Sequence, residues 1–184
     1  MNRVILYAAS ERGPLGWSWA AWAKVQSARG WKSIGAKSWN EVGEYFRQLA
    51  LDGDKIGEVQ FWGHGQPGGP LIAGGVMPSH VTERLSQVVT PESLVWFRMC
   101  SVFFGEKGRE FAEVIAQRLG CRVAAHTRII GPWHSGLFSV GPDAIQWHKR
   151  PWETGQPDNW RDWKSSRTAW HTVFCTTMKI PESW

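Results

Sequence analysis

Unbroken apolar runs and amphipathic stripes alternate along the chain. Val4-Ile5-Leu6-Tyr7-Ala8 lacks polar alternation and predicts a central strand, broken by Gly13-Pro14-Leu15-Gly16. Trp17 to Arg29 is Ala-rich and predicts a helix with Gly30 as its stop. Ser38 followed three residues later by Glu41 has capping-box spacing, and Val42, Tyr45, Phe46 and Leu49 then recur at i, i+3, i+4 and i+7. A second apolar run, Ile56 to Gly63, leads into His64-Gly65. Gln66 to Pro70 reads as a turn, and Leu71 to Val76 as a short hairpin arm. Ser79 to Val89 predicts a helix with Val81, Leu85, Val88 and Val89 on one face. Pro91-Glu92 leads into a third run, Leu94 to Met99, which stops at Cys100. Gly105 and Gly108 frame a loop, Phe111, Val114, Ile115 and Leu119 form a helical stripe closed by Gly120, and Cys121 to Ala125 is a further strand.

Strands alternating with helices define an α/β chain with a mostly parallel central sheet covered on both faces. Ligands on such sheets collect beyond the carboxyl ends of the strands. His64 and Cys100 both fall at such ends. After Gly131 the pattern weakens. Leu137–Val140 and Ala144–Trp147 flank Gly141-Pro142-Asp143 as a hairpin, residues 149–170 are polar with four tryptophans, and His171 to Met178 reads as a last edge strand. The expected organisation is one domain over residues 1–184, with a core over 3–130 and a C-terminal hairpin and Trp-rich tail over 131–184.

Composition narrows this picture. At 184 residues, with 42% hydrophobic and 20% charged residues, the chain can bury one core and is too apolar for disorder. A net charge of +5 mildly favours anionic ligands, but the basic residues form no run. The 14 tryptophans are expected to pack in the core and in surface grooves rather than to form a stacking platform. Three cysteines, with no C-x-x-C, fit a reducing compartment. The six-residue apolar stretch Val4–Ala9 is too short for a secretory signal, and no run is long enough to span a bilayer. The expectation is a cytoplasmic protein with no membrane and no nucleic-acid partner.

The chemistry rests on the two strand ends. A thiol attacks a carbonyl as the thiolate, and a nearby imidazole can take its proton. The oxyanion that follows needs fixed N–H donors. Gly65, lacking a Cβ, can present its N–H closely to a substrate, and the Cys100 N–H is a candidate second donor.

An apolar run ending in His-Gly, then another ending in Cys, resembles the caspase-like (clan CD) cysteine peptidases. These include caspases, metacaspases, legumains, clostripain, gingipains and the bacterial CHAT domains. The likeness covers residues 3–130 and is closest to bacterial members, through Gly63-His64-Gly65-Gln66-Pro67-Gly68-Gly69, Cys100-Ser101 with Gly105 and Gly108, and Ala124-Ala125-His126-Thr127. It implies a three-layer sandwich in which His64 is the base or acid, Gly65 an oxyanion donor and Cys100 the nucleophile of an endopeptidase that needs no cofactor. In that family the residue two before the nucleophile lines the pocket for the side chain on the acyl side of the scissile bond, being Gln in caspases and Asp in the clostripain type. Here it is Arg98, which implies a preference for Asp or Glu. Arg12, after the first strand, is a candidate second pocket cation on the same resemblance. The chain departs from caspases after the nucleophile, where Cys100-Ser101-Val102 replaces Cys-Arg-Gly.

Plainer readings stand beside these. A lone cysteine at a strand end is commonly core, a histidine between glycines commonly a turn residue, and Arg98 alone a salt-bridged arginine. Cys121 and His126 read as structural. No metal is expected, since no second close-spaced ligand pair accompanies them. The alternative function is a catalytically inactive caspase-like module that binds a protein partner. Asp158, in a polar stretch, is a candidate self-cleavage site if acids are accepted.

Overall fold

The computed structural model describes residues 1–130, 133–134, 137–143 and 173–174. The first half runs β1 (Asn2–Ala8), α1 (Pro14–Ser27), β2 (Lys32–Ala36), α2 (Trp39–Leu51) and β3 (Ile56–Trp62). A small antiparallel unit follows, β4 (His64–Gln66), β5 (Gly69–Ile72) and β6 (Gly75–Val76). Then come α3 (Ser79–Ser86), β7 (Val89–Arg98), α4 (Gly105–Leu119), β8 (Arg122–His126), β9 (Trp133–His134), β10 (Leu137–Val140) and β11 (Val173–Phe174).

Six strands form one sheet in the order β10-β8-β7-β3-β1-β2. All neighbours are parallel except β10, which runs antiparallel to β8. The predicted α/β class with a mostly parallel sheet is therefore present. Alternation along the strands splits the core. Leu6, Phe61, Phe97 and Val123 face α2, α3 and α4, while Ile5 and Trp62 face Ala23 of α1. Helices on both faces are consistent with a three-layer sandwich.

Local chemistry accounts for most of the elements. Ser38 Oγ accepts from the Glu41 N–H at 3.3 Å, as the capping box requires. The reciprocal bond shifts by one residue, with Glu41 Oε2 accepting from the Lys37 N–H at 2.9 Å. Pro14 begins α1 instead of ending the turn before it, because proline suits the first helical turn. Gly120, at φ 62°, closes α4 as expected.

Other expectations need correction, and α1 itself runs Pro14–Ser27 rather than Trp17 to Arg29. Strand β2 was not anticipated: Lys32-Ser33-Ile34-Gly35-Ala36 has one large apolar residue because it is an edge strand, and a Cβ on Gly35 would lie 2.7 Å from the Tyr7 ring. Helix α3 stops at Ser86, so Val88 lies beyond it and Val89 opens β7. Val114 is 40% exposed, and the buried face of α4 is Ala112, Ile115, Ala116 and Leu119. Gly105 and Gly108 belong to α4 rather than to a loop.

Leu137–Val140 is a strand, but it pairs with β8. Its expected hairpin partner Ala144–Trp147 lies outside the described residues, as do Asp158, Cys175 and most of the Trp-rich tail. Within the expected strand over 171–178, Val173–Phe174 pairs with Trp133–His134. Among the described residues no helix is long and apolar enough to cross a membrane.

Gly108 separates packing from propensity. Alanine at an interior helix glycine ordinarily stabilises by about 0.5–1 kcal/mol. A Cβ here would lie 2.2 Å from the backbone of Phe103. Overpacking against backbone typically costs about 1–3 kcal/mol. Gly108→Ala should therefore lower stability, read as a lower urea midpoint at unchanged slope.

Candidate active site

The register of β3 on β7 builds the site. Trp62 pairs with Arg98, the last residue of each strand. His64 and Cys100 each lie two residues further on, so they leave the sheet level with one another at its carboxyl edge. A Cβ on Gly65 would fall 2.4 Å from the Cys100 carbonyl oxygen and 2.9 Å from Met99 Cβ. Only glycine lets the His64 hairpin lie this close to the Cys100 loop. A Gly68 N–H bond to the Val102 carbonyl, at 3.2 Å, fastens the two segments again.

The hairpin also aims the Gly65 N–H. Gly65 lies opposite Pro70, whose carbonyl accepts from Met77 N on the β6 side at 3.3 Å. Both backbone polar groups of a strand residue point to the same side, so Gly65–Pro70 is a non-hydrogen-bonded pair. The Gly65 N–H therefore points away from β5, which suits an oxyanion donor. Pro67 and Gly68, at φ 92°, fill the two central positions of the turn, and a positive φ there favours glycine.

Cys100 opens a tight loop. Ser101 sits at φ 55°, a left-handed conformation that costs a non-glycine residue about 1 kcal/mol or more. Its N–H donates to the Arg128 carbonyl at 2.9 Å, and the Phe103 N–H to the His126 carbonyl at 3.1 Å. The segment after β8 thus fixes the loop. The Cys100 sulfur accepts from the Ile130 N–H at 3.4 Å and approaches the Ile130 carbonyl at 3.6 Å. Burial pushes the thiol above its ordinary range; the N–H groups of Ile130 and of Cys100 itself act oppositely and less strongly.

His64 is half exposed and held by residues the sequence did not single out. Its Nε2 lies 3.3 Å from Glu11 Oε2, and the Trp19 ring meets it edge-on at 5.3 Å between centroids. Among the described residues no hydrogen bond joins His64 to Cys100. Glu11 carried one legible signal: it follows a central strand at the carboxyl edge. The neighbouring Arg12 drew attention instead.

Arg98 is not an open cation. It is 5% exposed, lies over the Trp96 ring at 4.6 Å and the Trp62 ring at 5.0 Å, and donates to Gln60 Oε1 at 3.0 Å. Gln60, fully buried, also accepts from Trp62 Nε1 and donates to Glu58. Arg12 is exposed and makes no ion pair or hydrogen bond among the described residues. Cys121 is buried, with its thiol pushed up to about 12 by desolvation, and His126 is buried. Among the described residues no group of His, Cys, Asp or Glu could hold a metal ion.

No protein-family model, no curated protein and no solved structure matches this chain.

The arrangement brings an imidazole, a thiol and a directed N–H to one edge, with the thiol's pKa raised by burial. Because burial raises its pKa, the thiolate should be gained only as pH climbs past the ordinary cysteine range. Alkylation of Cys100 should rise about tenfold per pH unit between roughly pH 7 and 9 and exceed that of Cys121 throughout. Iodoacetamide labelling with peptide mapping reads this. A flat profile would mean a thiol already ionised.

Proposed function

We propose that this chain is a caspase-like cysteine endopeptidase acting on protein or peptide substrates. Cys100 attacks the scissile carbonyl, and His64 takes the thiol proton and returns it to the leaving amine. Water then hydrolyses the acyl-enzyme. Gly65 and Cys100 supply N–H donors to the oxyanion. The observation that carries the reading is the Trp62–Arg98 register, which sets His64 and Cys100 level, together with the close approach of Gly65 to Cys100. Metal and cofactor have no role in this scheme.

A peptide library incubated with wild type, Cys100→Ala and His64→Ala tests it. Cleavage by wild type should fall by a factor on the order of 10³ or more in either variant. If wild type cleaves nothing that Cys100→Ala spares, the peptidase reading fails. The catalytically inactive, partner-binding module then stands, and the protonated thiol engaged by Ile130 already suits it.

The proposed preference for Asp or Glu on the acyl side assigns Arg98 to the pocket floor. Its guanidinium is 5% exposed and already engaged by Gln60 and two tryptophans, so in this reading a substrate carboxylate enters beside those contacts. Arg12 would act at the pocket rim. A charge reversal at Arg98 would bury a second carboxylate beside Glu58, so a neutral residue of similar length is the better probe. Arg98→Met should cut kcat/KM for acidic peptides about 10-fold or more relative to neutral ones, with a cooperative unfolding transition retained. Acidic preference that survives the change would remove Arg98 from the pocket.

A further inference from the structure

We propose that Glu11 is the positioning residue of His64, holding Nε2–H so that Nδ1 is the nitrogen that exchanges the proton with Cys100. This rests on the peptidase reading and assigns it a third residue. The contact is direct, 3.3 Å from Oε2 to Nε2.

A carboxylate only accepts hydrogen bonds, and a neutral imidazole carries one N–H. A carboxylate at Nε2 therefore selects the tautomer with hydrogen on Nε2 and a lone pair on Nδ1. When the Cys100 S–H bond breaks, an Nδ1–H bond forms and the imidazolium faces Glu11 as an ion pair. When Nδ1–H gives its proton to the leaving amine, the first tautomer returns. Nε2–H is never broken, so Glu11 exchanges no proton and acts only through His64.

The structure places Glu11 firmly. Its segment leaves the carboxyl end of β1, the strand beside β3. The start of α1 presses on its backbone: a Cβ on Gly16 would lie 2.3 Å from the Glu11 carbonyl oxygen. Trp19, from the same helix, closes on the His64 ring edge-on. One helix therefore supports the carboxylate and restrains the ring it holds, and Glu11 is itself only 36% exposed in its side chain. Among the described residues no other charged side chain makes an ion pair or hydrogen bond with His64.

Two measurements test this, on the full chain with histidine labelled with 15N. Without substrate, His64 should show a single Nε2–H tautomer in wild type and a mixture with Nδ1–H in Glu11→Ala. Glu11→Gln, which keeps an acceptor oxygen, should recover the single tautomer. With a cleaved peptide, kcat should fall by roughly 10- to 100-fold in Glu11→Ala with KM changed less than about twofold, and Glu11→Gln should lie between. Unchanged tautomer populations in Glu11→Ala would overturn the proposal even if the protein proves to be a peptidase. A tautomer shift in a chain that cleaves nothing would leave the Glu11–His64 coupling standing and remove the peptidase. Equal losses in kcat and in cooperative unfolding would reduce Glu11 to a structural residue and overturn its role.

Discussion

The parallel register between β3 and β7 is the constraint on which the candidate site depends. Side chains alternate along a strand, so a slip of one residue would exchange the faces of Phe61 and Trp62 and separate His64 from Cys100. Burial prevents the slip. Phe61 stacks on Phe97 at 5.0 Å between centroids, inside the core shared with α2 and α4. Each such aromatic side chain gains on the order of 2–3 kcal/mol from burial. The core therefore sets a relation between two side chains that lie outside it. Gly65 and Gly68 then fasten the two strand extensions to each other, where sheet hydrogen bonds no longer can.

On the other face the sheet buries polar groups, and their partners explain the cost they carry. Gln60 is saturated on its oxygen by Trp62 and Arg98 and donates to Glu58. Desolvation raises the Glu58 carboxyl, while Gln60, Arg3, Arg98 and Arg122 draw it back down. A carboxylate with a raised folded pKa makes folding less favourable as pH rises above its unfolded value. The guanidiniums around it limit that loss. Gln60 joins Trp62, Arg98 and Glu58 through separate contacts, so removing any one member weakens the others through it. Arg98 thus holds its direction through neighbours that would persist with or without a substrate.

The sequence made the strand ends legible because unbroken apolar runs mark buried parallel strands, and such runs have sharp ends. Capping by Ser38 and closure by Gly120 were legible for the same reason, since both follow from local backbone chemistry. Strand β2 was not, because an edge strand needs few apolar residues and its one essential feature, Gly35, answers to Tyr7 across the sheet. Gly108 was misread as a loop residue because close backbone packing and flexibility select the same amino acid. Glu11, Trp19 and Ile130 were invisible in a stronger sense. Their roles depend on which loops the sheet order β2-β1-β3-β7-β8 brings to one edge, and periodicity carries no information about that order.

Ile130 sharpens the chemical question at Cys100. A neutral thiol can use both of its backbone groups, accepting from the N–H and pointing S–H at the carbonyl. A thiolate keeps the first contact and gains from it, since an N–H favours negative sulfur. It must lose the second, because a carbonyl oxygen repels it. Ionisation and displacement of the Ile130 carbonyl are therefore coupled. Burial adds to the same barrier, as the charged form is the one that desolvation disfavours. An entering peptide that moved the segment beyond Arg128 would relieve the repulsion and supply the electrophile together. The Ser101 N–H bond to Arg128 would still hold the loop in its left-handed turn. The contacts of Cys100 with Ile130 thus favour the neutral thiol, as does its burial.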